Sequence, residues 1–176
     1  MTFAWYVSSM VAATSSKELL VGGESRIKLT PLELTCYQMV CATVYASILS
    51  VLWYQSTCQL RIQSFECLKN IILLAVTCSM GFLTLNMAYE SMSTSLANTL
   101  RALEPLNSLL LTAILGSSVS LTLGFSVLPI VIGSCLASYG NSQFTWIGLF
   151  YCSVANFAFA ARIFMLVFFS HKTLGS

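Results

Sequence analysis

Apolar residues in this chain form long runs separated by short polar segments, a pattern typical of helices that cross a membrane. A helix that spans a bilayer needs about 20 predominantly apolar residues. On that criterion the sequence predicts about six membrane helices, at residues 3–20, 32–54, 70–90, 94–116, 118–139 and 145–170. The connections after the third helix are very short and nearly uncharged. Short connections predict antiparallel neighbours in a helical bundle.

The composition indicates that the whole chain is embedded in lipid. Hydrophobic residues make up 57% of its 176 residues and charged residues only 8%, compared with about 25% charged residues in soluble domains. Eight basic and six acidic residues cannot cover a soluble core of this size, so apolar surface must face lipid. The sequence therefore predicts an all-α, polytopic membrane helix bundle over residues 1–176, with the lipid bilayer as its surroundings and no second, soluble domain.

Charge and cysteine usage argue against several classes of function. The net charge of +2 is scattered and forms no basic stripe, so nucleic acid is not expected as a partner. The seven cysteines show no metal-binding spacing and His171 is the only histidine, so we expect no metal and no cofactor. The chain has no aspartate and no histidine at membrane depth, which argues against catalytic residues and an enzyme. We interpret the cysteines as small packing residues.

Arg162 lies well inside the last apolar segment. About nine residues, or roughly 13 Å along a helix, separate it from His171, which is too far for the side chain to reach the interface easily. An arginine near the middle of a span costs at least about 2.5 kcal/mol. We therefore expect Arg162 to face the bundle interior, a water-filled cavity or a counter-charge.

Arg101 lies in the fourth apolar segment, three residues before Glu104 and four before Pro105. Residues three apart share a helix face, so Arg101 and Glu104 can form an ion pair, and Pro105 is expected to disturb the helix locally. One interpretation is a structural ion pair that makes insertion tolerable. The other is an anion site in which Arg101 binds the ligand and Glu104 holds Arg101 in place.

Lys17 is a weaker candidate because it lies near the end of the first helix, where it can also serve as an anchor at the interface. If two or three of these basic side chains face one cavity, they form a positive site for an anionic solute. Arginine binds phosphate oxygens in a bidentate manner. The residues thus favour a phosphorylated or otherwise anionic small molecule, exchanged for a second anion.

Four stretches carry a more specific pattern: Gly81-x4-Asn86, Asn98-Thr99-Leu100-Arg101-Ala102-Leu103-Glu104-Pro105, Leu128-Pro129-Ile130-Val131-x-Gly133, and Ala155-Asn156-x-Ala158-Phe159-Ala160-x-Arg162. They resemble the triose-phosphate/sugar-phosphate translocator family of the drug/metabolite transporter superfamily, which is related to the nucleotide-sugar transporters. The stretch from Asn98 to Pro105 is the most specific of the four.

The resemblance implies a ten-helix fold of two inverted five-helix repeats, with a binding site near the midplane. This chain would hold the first repeat plus one helix of the second, so we expect a partial transporter domain. By position, Arg101 and Arg162 correspond to basic residues that bind substrate in the family. Thr84, Asn86, Asn98 and Lys17 are the further candidates for substrate binding, although Asn98 stands where the family has histidine.

The function that this resemblance implies is antiport of phosphorylated sugars or related organic anions with phosphate. The alternatives are a nucleotide-sugar transporter fragment and a truncated membrane protein that transports nothing. A homodimer could supply the helices of a second repeat. No Arg- and Ser-rich leader precedes the first helix, which favours a Golgi or ER membrane over the plastid inner envelope.

Overall fold

The computed structural model describes residues 2–22, 28–53, 65–114, 121–139 and 143–174. These ranges contain helices and no strand. The helices are α1 (Thr2–Val21), α2 (Pro31–Trp53), α3 (Phe65–Ser91), α4 (Thr94–Arg101), α5 (Glu104–Ile114), α6 (Leu121–Tyr139) and α7 (Trp146–Leu174). The all-α prediction is confirmed.

Among the described residues, three helices are long and apolar enough to cross a membrane, over Pro31–Leu52, Leu68–Ser91 and Trp146–Phe169. A shorter apolar helix covers Gly124–Tyr139. Helix α1 is less apolar because it carries several serines together with Lys17 and Glu18. It ends at Val21, and the next residue, Gly22, has a φ of 73°, which glycine readily adopts. The Gly22 N–H donates a hydrogen bond of 3.0 Å to the Glu18 carbonyl, which closes the last turn.

The predicted helix over residues 94–116 is two helices, α4 and α5, with a turn at Ala102 and Leu103 between them. Pro105 has no N–H to donate to the Arg101 carbonyl, and its ring would collide with that carbonyl in a continuous helix. The turn is instead held by short-range bonds, from the Ala102 N–H to the Thr99 carbonyl and from the Leu103 N–H to the Leu100 carbonyl, each 3.1 Å long. The disturbance expected at Pro105 therefore ends α4 directly after Arg101.

The core lies where α3, α4 and α7 meet. The most extensive helix–helix contact in the structure is between α3 and α7, and α7 also packs on α4 and α5. The buried residues of α7 recur at helical spacing; they are Cys152, Ala155, Asn156, Phe159 and Ala160. Large apolar side chains on the outer faces of α2 and α6 are exposed, as expected for surfaces that contact lipid. Helix α7 is thus the central element around which the candidate site is built.

Candidate functional site

The two arginines predicted as site residues converge on one aromatic ring. Arg101 is the last residue of α4, and its Cζ lies 5.4 Å from the centre of the Phe159 ring. Arg162 lies one turn after Phe159 on α7, and its Cζ is 5.7 Å from the same ring centre. The two guanidinium carbons are therefore at most about 11 Å apart, the sum of these distances. Both distances are within the range of cation–π attraction, which is stronger where water is excluded.

Phe159 is held in place by close packing against α3. Its side chain is only 3% exposed, and its ring meets the Phe82 ring edge-on, with the ring centres 5.3 Å apart. Gly81 makes room for it, because a Cβ at that position would lie 2.9 Å from Phe159 Cε1. A side chain on residue 81 would push the ring away from its present place. The sequence of α3 thereby fixes the surface on which both guanidinium groups rest.

Each guanidinium group keeps an unused hydrogen-bond donor. The Nε atoms of Arg101 and Arg162 are buried and have no partner in the structure. Arg162 has one contact through Nη1, which lies 3.9 Å from Cys78 Sγ and donates a weak hydrogen bond to it. The Tyr89 hydroxyl lies next to the Arg101 guanidinium group. Two positive groups with free donors in one region can bind an anion with several acceptor oxygens.

Side chains from α6 and α7 hold the end of α4 that carries Arg101. Asn156 Nδ2 donates a 2.8 Å hydrogen bond to the Leu100 carbonyl, and Cys152 Sγ donates a longer one, 3.6 Å, to the Ala97 carbonyl. From α6, the Ser134 hydroxyl donates to the Thr99 carbonyl at 3.4 Å. Carbonyls at a helix end inside a membrane need such partners. These contacts determine where the chain leaves α4 and so where Arg101 is placed.

Glu104 lies beside Arg101 but does not pair with it. Both line a cavity of about 670 Å³, together with Ser108 and Thr112 of α5 and Ser126 of α6. No salt bridge joins Arg101 to Glu104 in the described part of the chain. The i to i+3 relation on which this pairing was predicted requires a continuous helix, and the turn at Ala102 and Leu103 removes it.

Asn98 is linked to the region of Arg101 through Tyr89, whose hydroxyl donates a 3.0 Å hydrogen bond to Asn98 Oδ1. Lys17 is engaged elsewhere. Its Nζ donates a 2.7 Å hydrogen bond to the Met92 carbonyl, directly after the end of α3. A cation at that position also interacts favourably with the negative end of the helix dipole. Lys17 thus joins α1 to α3 in this structure.

Thr84 and Asn86 are buried in α3, and their hydrogen-bond partners lie on α2 and α3 rather than at the arginines. The Thr84 hydroxyl donates to the Met80 carbonyl of its own helix at 2.8 Å. Asn86 Nδ2 donates to Thr35 Oγ1 at 2.9 Å and to Gln38 Oε1 at 3.0 Å. Gln38 Nε2 in turn donates to Ser16 Oγ at 3.2 Å. A polar cluster thus connects α1, α2 and α3.

The structure therefore brings together Arg101 and Arg162, with Asn98 near Arg101. Within the described ranges no hydrogen bond joins either arginine to Lys17, Thr84 or Asn86. Sequence reasoning had not assigned roles to Phe159, Asn156 or Tyr89. The signal that could have found Phe159 is its spacing, because it precedes Arg162 by three residues and so shares the helix face of Arg162. Asn156 in turn precedes Phe159 by three residues and shares the face of Phe159. Among the described residues, no three His, Cys, Asp or Glu side chains form a group that could hold a metal ion.

The fold and this site define a polytopic α-helical membrane protein with two cationic side chains inside its bundle. The chain belongs to the Triose-phosphate Transporter family, whose pattern matches residues 1–175. A pea (Pisum sativum) relative, the chloroplastic triose phosphate/phosphate translocator, is 35% identical over 96 residues, which cover 54% of this chain and 24% of that protein.

Two further relatives match a longer part of the chain. The chloroplastic phosphoenolpyruvate/phosphate translocator 2 of Arabidopsis thaliana is 31% identical over 150 residues, 85% of this chain and 37% of that protein. The phosphoenolpyruvate/phosphate translocator 1 of Oryza sativa subsp. japonica is 29% identical over 159 residues, 90% of this chain and 37% of that protein. The chain thus spans between about a quarter and just over a third of these relatives. All three are named translocators, not enzymes, and all three are chloroplastic, which does not favour the expected Golgi or ER membrane.

Proposed function

We propose that this chain is part of an antiporter that exchanges phosphorylated sugars or related phosphorylated organic acids for phosphate. The observation that carries the proposal is the pair of arginines on Phe159, each with a buried Nε that lacks a partner. The names of the relatives support phosphate as one of the exchanged ions.

In this proposal the two guanidinium groups bind phosphate oxygens and Phe159 keeps the guanidinium groups from moving apart. A buried positive pair is costly without a ligand, so the site favours replacement of one anion by another over an empty state. Glu104 contributes negative charge to the cavity beside Arg101 and moderates the affinity. Lys17 would act on the site only indirectly, through its bond to the chain between α3 and α4.

We further propose that residues 1–176 correspond to the first repeat of the transporter plus one helix of the second. On this proposal a polypeptide limited to residues 1–176 holds only part of the transporter, so we expect that polypeptide to bind phosphate as a monomer without transporting it. Phosphate uptake by a demonstrated monomer of this polypeptide in liposomes would overturn this part of the proposal.

Binding of radiolabelled inorganic phosphate to the chain in lipid nanodiscs tests the site. Arg101→Ala and Arg162→Ala should each weaken binding at least about tenfold, because each removes a charge-assisted hydrogen bond. Arg101→Lys should retain part of the affinity, since it keeps the charge and loses the planar fork. Lys69→Ala is the matched control, because Lys69 is an exposed cation at the start of α3. Unchanged phosphate binding in both alanine variants would contradict the assignment of Arg101 and Arg162 as phosphate-binding residues and favour a purely structural role for them.

The membrane in which the chain resides is a separate proposal. The names of the relatives favour a plastid membrane over the Golgi or ER membrane that the sequence alone suggested. Fluorescence of a tagged chain in plant cells distinguishes these locations.

A further inference from the structure

The Tyr89 hydroxyl group meets two polar side chains of α4. It donates a 3.0 Å hydrogen bond to Asn98 Oδ1 and lies next to the Arg101 guanidinium group. Asn98 precedes Arg101 by three residues in α4, so the two side chains lie on the same face of that helix. Tyr89 belongs to α3 and is only 4% exposed. A hydroxyl group of one helix is thus held against a polar pair of another helix, away from bulk water.

The donor and acceptor capacities of these three groups fix the direction of their interactions. Arginine only donates hydrogen bonds, whereas a tyrosine hydroxyl group donates one and can also accept. The single proton of the Tyr89 hydroxyl is directed at Asn98 Oδ1, so the lone pairs of the Tyr89 oxygen remain for a donor. The neighbouring Arg101 can supply that donor. Asn98 therefore sets the orientation of the hydroxyl group, and the hydroxyl oxygen attracts the guanidinium group.

Arg101 Nε remains outside this arrangement. It is buried and has no partner, so any hydrogen bond from Arg101 to Tyr89 comes from a terminal nitrogen. The guanidinium group is planar and rigid, and holding one terminal nitrogen therefore also limits where Nε–H points. The Phe159 ring, whose centre lies 5.4 Å from Arg101 Cζ, is a second point of contact. The group is held at two places while Nε stays available for an anion.

Arg162 is held in a different way. Its Nη1 donates only a weak hydrogen bond, 3.9 Å long, to Cys78 Sγ, and its guanidinium group also lies over the Phe159 ring. In the ranges that the structure describes, no hydrogen bond links Arg162 to Tyr89. The tyrosine should therefore influence one of the two arginines and not the other.

We propose that Tyr89 is a positioning residue of the anion site, whose hydroxyl group, oriented by Asn98, holds the Arg101 guanidinium group so that Nε–H points at the bound anion. The inference rests on the proposed function, since it needs Arg101 to bind phosphate. It gives Asn98 an indirect role, through Tyr89, in place of the direct contact with substrate expected from the sequence. A guanidinium group that is held before the ligand arrives loses less conformational freedom on binding, which raises the affinity.

Binding of radiolabelled inorganic phosphate to the chain in lipid nanodiscs tests this proposal with Tyr89→Phe, which removes the hydroxyl group and keeps the ring. We expect about fivefold weaker binding, the scale of one hydrogen bond. In an Arg101→Ala background the same substitution should change the affinity by less than about twofold, because the group that Tyr89 positions is gone. In an Arg162→Ala background the loss should persist in full. Equal losses in the two backgrounds would indicate a merely structural role and overturn the proposal.

The double variant of Tyr89→Phe and Asn98→Leu tests the indirect role of Asn98. Asn98→Leu alone removes the acceptor that orients the hydroxyl group, so it should weaken phosphate binding about as much as Tyr89→Phe. The double variant should then bind within about twofold of either single variant. Additive losses would show that Asn98 acts on the anion without Tyr89, contrary to the proposal. Tyr45→Phe is the matched control, because Tyr45 is 65% exposed on α2, and it should leave the affinity unchanged.

Failure of this inference and failure of the proposed function give different results. If inorganic phosphate does not bind the unaltered chain, the proposed function fails and the inference fails with it. If phosphate binds and Arg101→Ala weakens the binding, but Tyr89→Phe leaves it unchanged, only the inference fails.

Discussion

Helices α2 and α7 are both apolar enough to span a membrane, yet polar side chains on the outer part of α2 and on the buried face of α7 form hydrogen bonds in opposite ways. On the outer part of α2, the Thr43 and Ser47 hydroxyls donate to carbonyls four residues earlier in the same helix, at 2.8 Å in each case. On α7, Asn156 and Cys152 donate to carbonyls of α4. The first arrangement needs no neighbour, whereas the second exists only when the bundle is assembled.

The difference separates residues that tolerate lipid from residues that specify the bundle. A hydroxyl bonded to its own helix is satisfied at any rotation of that helix, so it does not select a partner. An amide that bonds to another helix fixes both rotation and depth, and it leaves a costly group if the partner is removed. Arg101 follows the second pattern, since its guanidinium group on α4 lies over the Phe159 ring of α7.

Truncation of Phe159, on whose ring both guanidinium groups rest, tests most strongly the contrast between buried and lipid-facing positions. Phe159→Ala should lower the free energy of unfolding by about 3 kcal/mol, the usual order for a buried phenylalanine, and should also weaken phosphate binding, because both guanidinium groups lose their support. Phe157→Ala is the control on the same helix, since Phe157 is 47% exposed and its loss should cost less than about 0.5 kcal/mol. Thermal unfolding in detergent micelles measures both, and equal losses would contradict the placement of Phe159 in the core.

Gly81→Ala should lower the free energy of unfolding by about 1–3 kcal/mol, because the new Cβ meets the Phe159 ring. Gly133→Ala in α6 should instead raise the free energy of unfolding, because beyond its chain neighbours and its own helix backbone no atom lies within 4 Å of a Cβ there, and alanine favours a helix more than glycine by up to about 1 kcal/mol. The same unfolding measurement compares the two variants. A stabilised Gly81→Ala variant would show that α3 and α7 do not approach as closely as described.

Asn86→Leu should lower the free energy of unfolding by about 1 kcal/mol, the usual scale of a side-chain hydrogen bond between membrane helices. The loss arises because Thr35 and Gln38 lose their donor. A double-mutant cycle with Gln38→Leu isolates the pairwise contribution. Strictly additive effects of the two substitutions would argue that the α2–α3 hydrogen bond contributes nothing.

Thr43→Val on α2 should change the free energy of unfolding by less than about 0.5 kcal/mol, because the hydroxyl is exposed and bonds only within its own helix. Phosphate binding should be unaffected as well. A loss comparable to that of Asn86→Leu would mean that the outer face of α2 has a partner, which can be detected by cross-linking of cysteine variants at this face.

Much of the fold could be predicted from the sequence because long apolar segments and helix-breaking residues act locally. The predicted helix at residues 32–54 and α2 agree closely, and Pro105 was expected to disturb the fourth segment. The consequence of that proline was not predicted in full. It ends α4 at Arg101, and this removes the continuous helix that an ion pair with Glu104 would need. The spacing of Arg101 and Glu104 along the chain could not show that the two residues belong to different helices.

The sequence by itself determined that the chain is a helical membrane bundle, that two arginines lie in its apolar segments, and to which family its motifs correspond. Only the tertiary structure decided the partners of these arginines. It placed both on Phe159, engaged Lys17 with the Met92 carbonyl and left Asn156 Oδ1 without a donor. The physical reason is that a helical repeat defines which residues share a face, whereas the rotation and depth of one helix against another depend on the packing of all of them.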